Sequence, residues 1–230
     1  MMTKSNTSTG PNPRGTYILH ALEQHMLNGD AYVLWDDAYK ICCRNSKKSY
    51  QAFLEDLMFL IQEQSLHREG SRLYLTKTYR YEEYAAKWLS CVLPINRFHS
   101  LVYVPEQLES FGVQLTNEQR DAVATALEHR ISIILGGAGS GKTTLIRSML
   151  SCVGDVFACL LTAPTGKAAR NLASHTCWEA RTVHSALGMS PDDDFLEPVR
   201  WDRTRLIVVD EASMITLEML ARLFVKMVYG

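Results

Sequence analysis

Fourteen residues, Ile131 to Thr144, read ISIILGGAGSGKTT and leave this chain few ways to fold. An apolar, β-branched run that breaks into glycines and then into Lys-Thr-Thr predicts a buried parallel strand (Ile131 to Leu135), a bare-backbone loop, and a helix from Lys142 to about Cys152. The glycines permit the left-handed angles that turn successive N–H groups toward an anion. Lys142 adds a mobile positive charge for the outer phosphates, Thr143 a hydroxyl for Mg²⁺, and the helix its positive dipole end. Gly136, Gly141, Lys142 and Thr143 complete the spacing G-x4-G-K-[ST], so the stretch reads as a phosphate-binding loop in an α/β sheet.

A nucleotide site of this kind needs carboxylates, and the run Leu206-Ile207-Val208-Val209-Asp210-Glu211-Ala212-Ser213-Met214 supplies them at the end of another buried strand. Asp210, at the strand tip, suits the metal shell shared with Thr143; Glu211, one residue on and pointing elsewhere, suits the base that activates a water. Between the two lies a third strand, Val156 to Leu161, followed by Thr162-Ala163-Pro164-Thr165-Gly166-Lys167-Ala168-Ala169-Arg170, a turn that opens a helix and frees N–H groups at the sheet's carboxyl edge. Thr182 to Gly188 (TVHSALG) predicts a short helix start, Met189 to Pro198 an exposed loop, and Leu217 to Lys226 a closing helix. Upstream, Thr116 is a helix cap, and Gln119, three residues on, has an amide able to face a purine edge beside the loop.

The first hundred residues have a different grain. Met1 to Pro13 hold no periodic apolar residue and predict a disordered tail. Helical spacing then runs from Gly15 to Asn28-Gly29, from Asp36 (an N-cap candidate) to Arg44, and from Ser49 to Gln64, where Phe53, Leu57, Leu60 and Ile61 share a face. Leu66-His67-Arg68-Glu69, the turn Gly70-Ser71 and Arg72-Leu73-Tyr74-Leu75 form a hairpin, and a fourth helix from Tyr81 to Leu93 ends at Pro94. Three helices followed by a hairpin outline a small α+β winged-helix-like domain, residues 14–103, before the phosphate-loop domain, residues 104–230. The third helix carries Glu55, Asp56 and Glu63, with only Lys47 and Lys48 at its start, so the unit reads first as a small packing or partner-binding domain; the wing cluster Arg68, Arg72, Lys77 and Arg80 is the better candidate for any duplex backbone contact, its alternative being a solvated face.

Composition narrows the classes. A chain of 230 residues with 47% hydrophobic content can bury two unequal cores, and a net charge of −1 excludes an overall basic field, so any nucleic-acid contact is local. The six cysteines show no C-x-x-C pair and predict reduced, mostly buried thiols, not zinc ligands. No apolar run is long enough to span a bilayer, which gives the expectation of a soluble, cytoplasmic protein with no membrane partner.

The motifs LTNEQ, GGAGSGKTT, LTAPTGKAAR, TVHSALG and VVDEASMI, in this order, resemble the first RecA-like domain of superfamily 1 DNA helicases, and within them the RecD-like group. The resemblance covers about Leu115 to Leu220 and implies a partial RecA-like P-loop NTPase sheet that hydrolyses ATP to move on single-stranded DNA. It implies Gln119 as adenine reader; Gly137, Ala138, Gly139, Ser140, Gly141, Lys142, Thr143 and Thr144 as phosphate cradle; Thr143 and Asp210 as Mg²⁺ holders; Glu211 as catalytic base. Pro164, Thr165, Lys167, His184 and Ser185 would line the single strand, indifferent to its sequence. In the family the motor continues through a further strand, which lies between the phosphate-loop and Asp-Glu strands, and a second RecA-like domain with arginine fingers. The chain is therefore expected to be part of a motor, marginally stable and inactive alone, with partner subunits unspecified. Two rivals stand beside this: a module that binds ATP or DNA without turnover, and a P-loop phosphotransferase.

Overall fold

The computed structural model describes residues 14–44, 48–95, 115–137, 139–153, 159–189, 204 and 206–228. The expected tail, the loop after Met189, the domain boundary near residue 103 and the position of Ala138 lie outside them. By compactness the chain divides between Glu83 and Tyr84.

The first unit is built from α1 (Thr16–Met26), β1 (Val33–Leu34), α2 (Trp35–Cys42), α3 (Tyr50–Gln62), β2 (Leu66–Glu69), β3 (Arg72–Leu75) and the start of α4 (Thr76–Val92). The strands form an antiparallel sheet in the order β1-β3-β2, a winged-helix-like arrangement. Its core joins Ile18 and Leu22 of α1, Phe53, Leu57 and Leu60 of α3, and Leu66 and Leu73 of the hairpin. Phe53 and Leu57 are essentially inaccessible, so truncating Phe53 to Ala would cost about 3–5 kcal/mol, a large part of a typical domain's stability.

Helix starts differ from expectation in two places. Asp36 is not a cap: α2 begins at Trp35 after Leu34, with no side-chain cap, and Asp36 and Asp37 lie in its first turn facing the dipole. Helix α4 begins five residues before Tyr81, because Thr76 follows directly on β3. Ser49 does cap α3, accepting from the Ala52 N–H at 3.3 Å. The hairpin turns at Gly70, whose φ of 58° is open to glycine at little cost.

Asp56 behaves differently from a solvated acid. It is buried on α3, accepting from Lys48 Nζ at 2.7 Å and from Arg14 Nε at 3.2 Å, with Lys48 4.5 Å over the Tyr17 ring and Arg14 4.8 Å over Phe59. Burial alone would raise its pKa; the hydrogen bonds from Lys48 and Arg14 overcome that and hold the carboxyl below its ordinary range.

The second unit continues through α5 (Asn117–Glu128), α6 (Lys142–Val153), β4 (Cys159–Ala163), α7 (Gly166–Thr176), β5 (Ala180–Thr182), α8 (Val183–Leu187), β6 (Leu206–Val209) and α9 (Leu217–Val228). Its sheet runs β5-β4-β6, all parallel, with Leu161 opposite both Ala180 and Val208. Val123 and Leu127 of α5, Leu145, Ile146, Met149 and Leu150 of α6, and Leu172 of α7 pack with Leu161, while Val183 and Leu187 pack with Met219 and Leu223 of α9. Among the described residues no helix is long and apolar enough to cross a membrane.

Residues 131–135 correct the sequence reading most sharply. They form no strand, and Ile133 and Leu135 are 81% and 88% exposed. A strand exists only against a hydrogen-bonded neighbour, and among the described residues none lies beside this run, so its apolar side chains line an open cleft with Ala122, Thr125 and His129 of α5. The cysteines also differ: only Cys42 and Cys43 are buried, whereas Cys91 and Cys177 are exposed.

The Asp56 cluster sets an acid limit on the first unit. Its pKa is lower folded than unfolded, so between the two values the unfolded chain binds more protons, and stability present above the ordinary carboxylate range is lost as pH falls through the folded value. In urea titrations at several pH values, Asp56→Asn is expected to flatten this acid dependence and to lower neutral-pH stability by about 1–3 kcal/mol. An unaltered acid slope in that variant would remove Asp56 as its cause.

Candidate functional site

Thr116 and Gln119 close the start of α5 reciprocally. The Thr116 hydroxyl accepts from the Gln119 N–H at 3.2 Å, and Gln119 Oε1 accepts from the Thr116 N–H at 3.0 Å. This capping box fixes the Gln119 side chain and aims its amide at the phosphate loop, where Nε2 donates to the Ser140 carbonyl at 3.1 Å. One N–H and one lone pair of the amide are engaged, which leaves the second of each to meet a purine edge.

The loop itself is closed by its own lysine. Lys142 Nζ donates to the carbonyls of Gly136 and Gly137, each at 2.7 Å. Gly141 has a φ of 85°, and a Cβ there would come within 2.7 Å of Gln119 Nε2, so this position requires glycine on both counts. Bare backbone at residues 136, 137, 139 and 141, the Lys142 amine at the loop's mouth and the start of α6 just beyond are a donor set that fits a polyphosphate. Thr143 and Thr144 are half-buried in the first turn of α6.

The parallel register brings three other motifs to one edge. Thr162 of β4 lies opposite Val209 of β6, and Ala163 lies opposite Thr182 of β5, so the segments after all three strands leave the sheet side by side. Thr162 is fully buried, and its hydroxyl donates to the Val208 carbonyl at 3.0 Å while its own carbonyl accepts from the Asp210 N–H at 2.9 Å. Asp210 Oδ1 in turn accepts from the Glu211 N–H at 3.0 Å. Glu211 is exposed and held at φ 53°, ψ 39°, a left-handed conformation that costs a non-glycine residue roughly 1–3 kcal/mol.

On the other side of β4, Thr165 caps α7 by accepting from the Ala168 N–H at 3.2 Å, and Thr182 caps α8 by accepting from the Ser185 N–H at 3.1 Å. Lys167, His184 and Ser185 are exposed and Pro164 is half-buried, so this half of the edge presents two capped helix starts and a cation to solvent. Arg170 follows Lys167 one turn later, and its guanidinium folds back to 3.5 Å from where a side chain at position 166 would begin. The spacing i, i+3 after Lys167 was the signal for it. No hydrogen bond or ion pair among the described residues joins the phosphate loop to Asp210 or Glu211; what the structure unites is the Asp-Glu pair with the Thr165 and Thr182 helix starts, and Gln119 with the loop.

Residues 119–230 match the AAA domain family. The chain is 36% identical over 151 residues to the RecBCD enzyme subunit RecD of Haemophilus influenzae, covering 53% of this chain and 22% of that protein. It is 33% identical over 188 residues to the RecBCD enzyme subunit RecD of Mycobacterium tuberculosis, covering 69% and 31%. It is 39% identical over 108 residues to the ATP-dependent RecD2 DNA helicase of Deinococcus radiodurans, covering 44% and 14%. The chain thus spans less than a third of the length of these relatives. Five motifs in one order, three of them on one sheet edge, thus make the chain similar to the RecD and RecD2 helicases, with the match to the AAA domain family in residues 119–230.

Proposed function

We propose that this chain supplies the first motor domain of an ATP-driven DNA translocase of the RecD type, working on single-stranded DNA in the cytoplasm. The observation that carries the reading is β4, bonded on one side to the strand that ends in Asp210-Glu211 and on the other to the strand that opens into His184-Ser185. A shift at the nucleotide edge is then transmitted through one strand to the nucleic-acid edge. Lys142 would hold the outer phosphates, and Gln119 would meet the adenine edge with the N–H and lone pair that its loop and cap bonds leave over. Thr143 and Asp210 would hold Mg²⁺, which when bound neutralises the developing phosphate charge. Glu211 would take a proton from the attacking water. Pro164, Thr165, Lys167, His184 and Ser185 would meet the strand through sugar and phosphate, and Arg68 and Arg72 of the hairpin would meet duplex. The domain limits 14–103 and 104–230 remain our reading of the motif order. Full turnover, arginine fingers and partner subunits belong to the longer protein that the relatives imply.

Binding and chemistry should separate by residue. In full-length protein, Lys142→Ala is expected to weaken ATP binding, and Glu211→Gln to keep binding while lowering turnover, because only the second acts on the attacking water. Parent-rate hydrolysis by Glu211→Gln would remove Glu211 as the base.

Gln119 connects the cap of α5 to the phosphate loop, so Gln119→Ala is expected to destabilise the second unit by about 0.5–2 kcal/mol through the lost capping box and to weaken adenine nucleotides more than inorganic triphosphate. Urea unfolding and competition binding read the two effects separately. Equal weakening of ATP and triphosphate would mean that Gln119 acts on the loop alone.

Lys167 is expected to act on DNA by counterion release: Lys167→Ala should lower single-strand affinity about equally for all sequences and reduce the salt slope by roughly 0.7. Titration of two unrelated oligonucleotides at several salt concentrations tests this, and a loss confined to one sequence would contradict it.

A further inference from the structure

The hairpin of the first unit carries its arginines in an unusual setting. Cross-strand partners share a face, so Arg68 and Leu73 lie on one side of the sheet and Glu69 and Arg72 on the other. At the tip, therefore, one guanidinium stands on each side. Each rests on an aromatic ring: Arg68 lies 3.8 Å from the Trp35 centroid, and Arg72 lies 4.8 Å from that of Tyr32. Trp35 is held from below by the hydrophobic core, and its N–H donates to the Ser71 carbonyl at 2.8 Å, tying the ring's backbone to the turn. Tyr32 is held by Tyr74 at 5.5 Å, and Tyr74, fully buried, packs against Tyr79 at 5.3 Å. Arg68 Nε also donates to the Gly70 carbonyl at 3.0 Å. Two long side chains that would ordinarily sample many rotamers are thus laid down on rigid supports, with their terminal N–H groups at an exposed tip.

We infer that the tip of the β2–β3 hairpin is a preformed site for the sugar-phosphate backbone of duplex DNA, with Arg68 and Arg72 as ligands and Trp35 and Tyr32 as positioning residues. It deepens the DNA-directed reading above and rests on it for the identity of the polymer, but not on the nucleotide site. The chemistry of the supports selects the ligand. Each ring carries a guanidinium and has a second packed neighbour, the core for Trp35 and Tyr74 for Tyr32, so the groups offered at the tip are charged and the tip recognises charge, not sequence. Planar guanidinium forks match phosphate oxygens in pairs, and duplex offers one charge per ~1.7 Å of axis, denser than a single strand. Pre-ordering removes part of the entropy that two free arginines would lose on binding. One acid opposes the site: Glu69 sits across from Arg72 in the ladder. Its position makes a sign-reversing test available.

The test is binding of the 230-residue chain, without nucleotide, to a fluorescent duplex and to a single strand of equal length over a range of salt concentrations. Arg68→Gln with Arg72→Gln is expected to lower the duplex salt slope by about 1.8, two phosphates at about 0.9 each, for any sequence, with a smaller change on single strand. Glu69→Gln is expected to raise duplex affinity. Arg68→Lys keeps the charge and loses the planar fork, so the slope should hold while affinity drops several-fold. A double variant that retains its circular dichroism and the parent duplex slope overturns the site, as does a loss confined to one sequence or to single strand alone. ATP binding by full-length protein, measured beside these samples, keeps the two readings apart: if full-length protein binds no ATP while the slopes change as stated, the motor reading falls and the hairpin site stands.

Discussion

The second unit depends on β4 having a hydrogen-bonded neighbour on both sides. Leu161, Thr162 and Ala163 are buried to within 1% of complete, and every functional segment of the sheet edge is placed by its register with this strand. Thr162 shows why the constraint is strict. A buried hydroxyl with no partner would cost about 1–3 kcal/mol, and here it is spent on the Val208 carbonyl while the backbone of the same residue accepts from Asp210. A valine would fill the same volume and leave the Val208 carbonyl one donor short. The carboxylate pair is thereby fixed to the strand that leads to Pro164 and Thr165, a more direct connection than packing of helices could give.

That register also explains what could be read from residues alone. Helix α6 was legible because the loop-to-helix transition is local, and β6 because four apolar residues ending in Asp-Glu have few other uses. The Thr116 cap of α5 is a local pattern and was legible, whereas the return of the Gln119 side chain to the cap was not anticipated. Residues 131–135 were misread for the opposite reason: Ile131, Ile133, Ile134 and Leu135 have strand propensity, but propensity expresses fit to a pleated surface that another segment must supply. With Ile133 and Leu135 in solvent, each forgoes the roughly 1.5–3 kcal/mol that full burial of such a side chain contributes. The resemblance to helicases carried the missing information, since it placed a further strand beside this run. Strand β5 and the five-residue early start of α4 were not legible, because three residues (Ala180 to Thr182) and a strand-to-helix junction without a cap leave no periodic trace.

In the first unit the same limit applies to charge. Counting Asp56 among the acids of α3 made that helix look repulsive to phosphate, yet Lys48 and Arg14 neutralise it, and Arg14 lies 42 positions away, too far for sequence spacing to pair the two. The cost of that neutralisation falls on the helix as a DNA ligand: Lys48, the cation nearest its start, is already committed to Asp56 and to the Tyr17 ring. Lys48 is thus turned toward Asp56, whereas the hairpin keeps two exposed arginines, with Trp35 and Tyr32 far from Arg68 and Arg72 in sequence and beside them in space.

The closed phosphate loop has an energetic consequence for the nucleotide. The Lys142 amine is not waiting in water; it already donates two bonds of 2.7 Å to Gly136 and Gly137. The ammonium has three donors, so a third remains for a phosphate, and only a further bond to the anion would have to replace one to a neutral carbonyl. Gln119 holds the same loop from its other side, donating to the Ser140 carbonyl at 3.1 Å while its oxygen stays in the cap of α5. Under the proposed function, a base at Gln119 and phosphates at Lys142 would both act on this one loop, so each would ease the binding of the other. Loop and cap meet at Gly141, where a Cβ would lie 2.7 Å from Gln119 Nε2 and leave no room for a side chain.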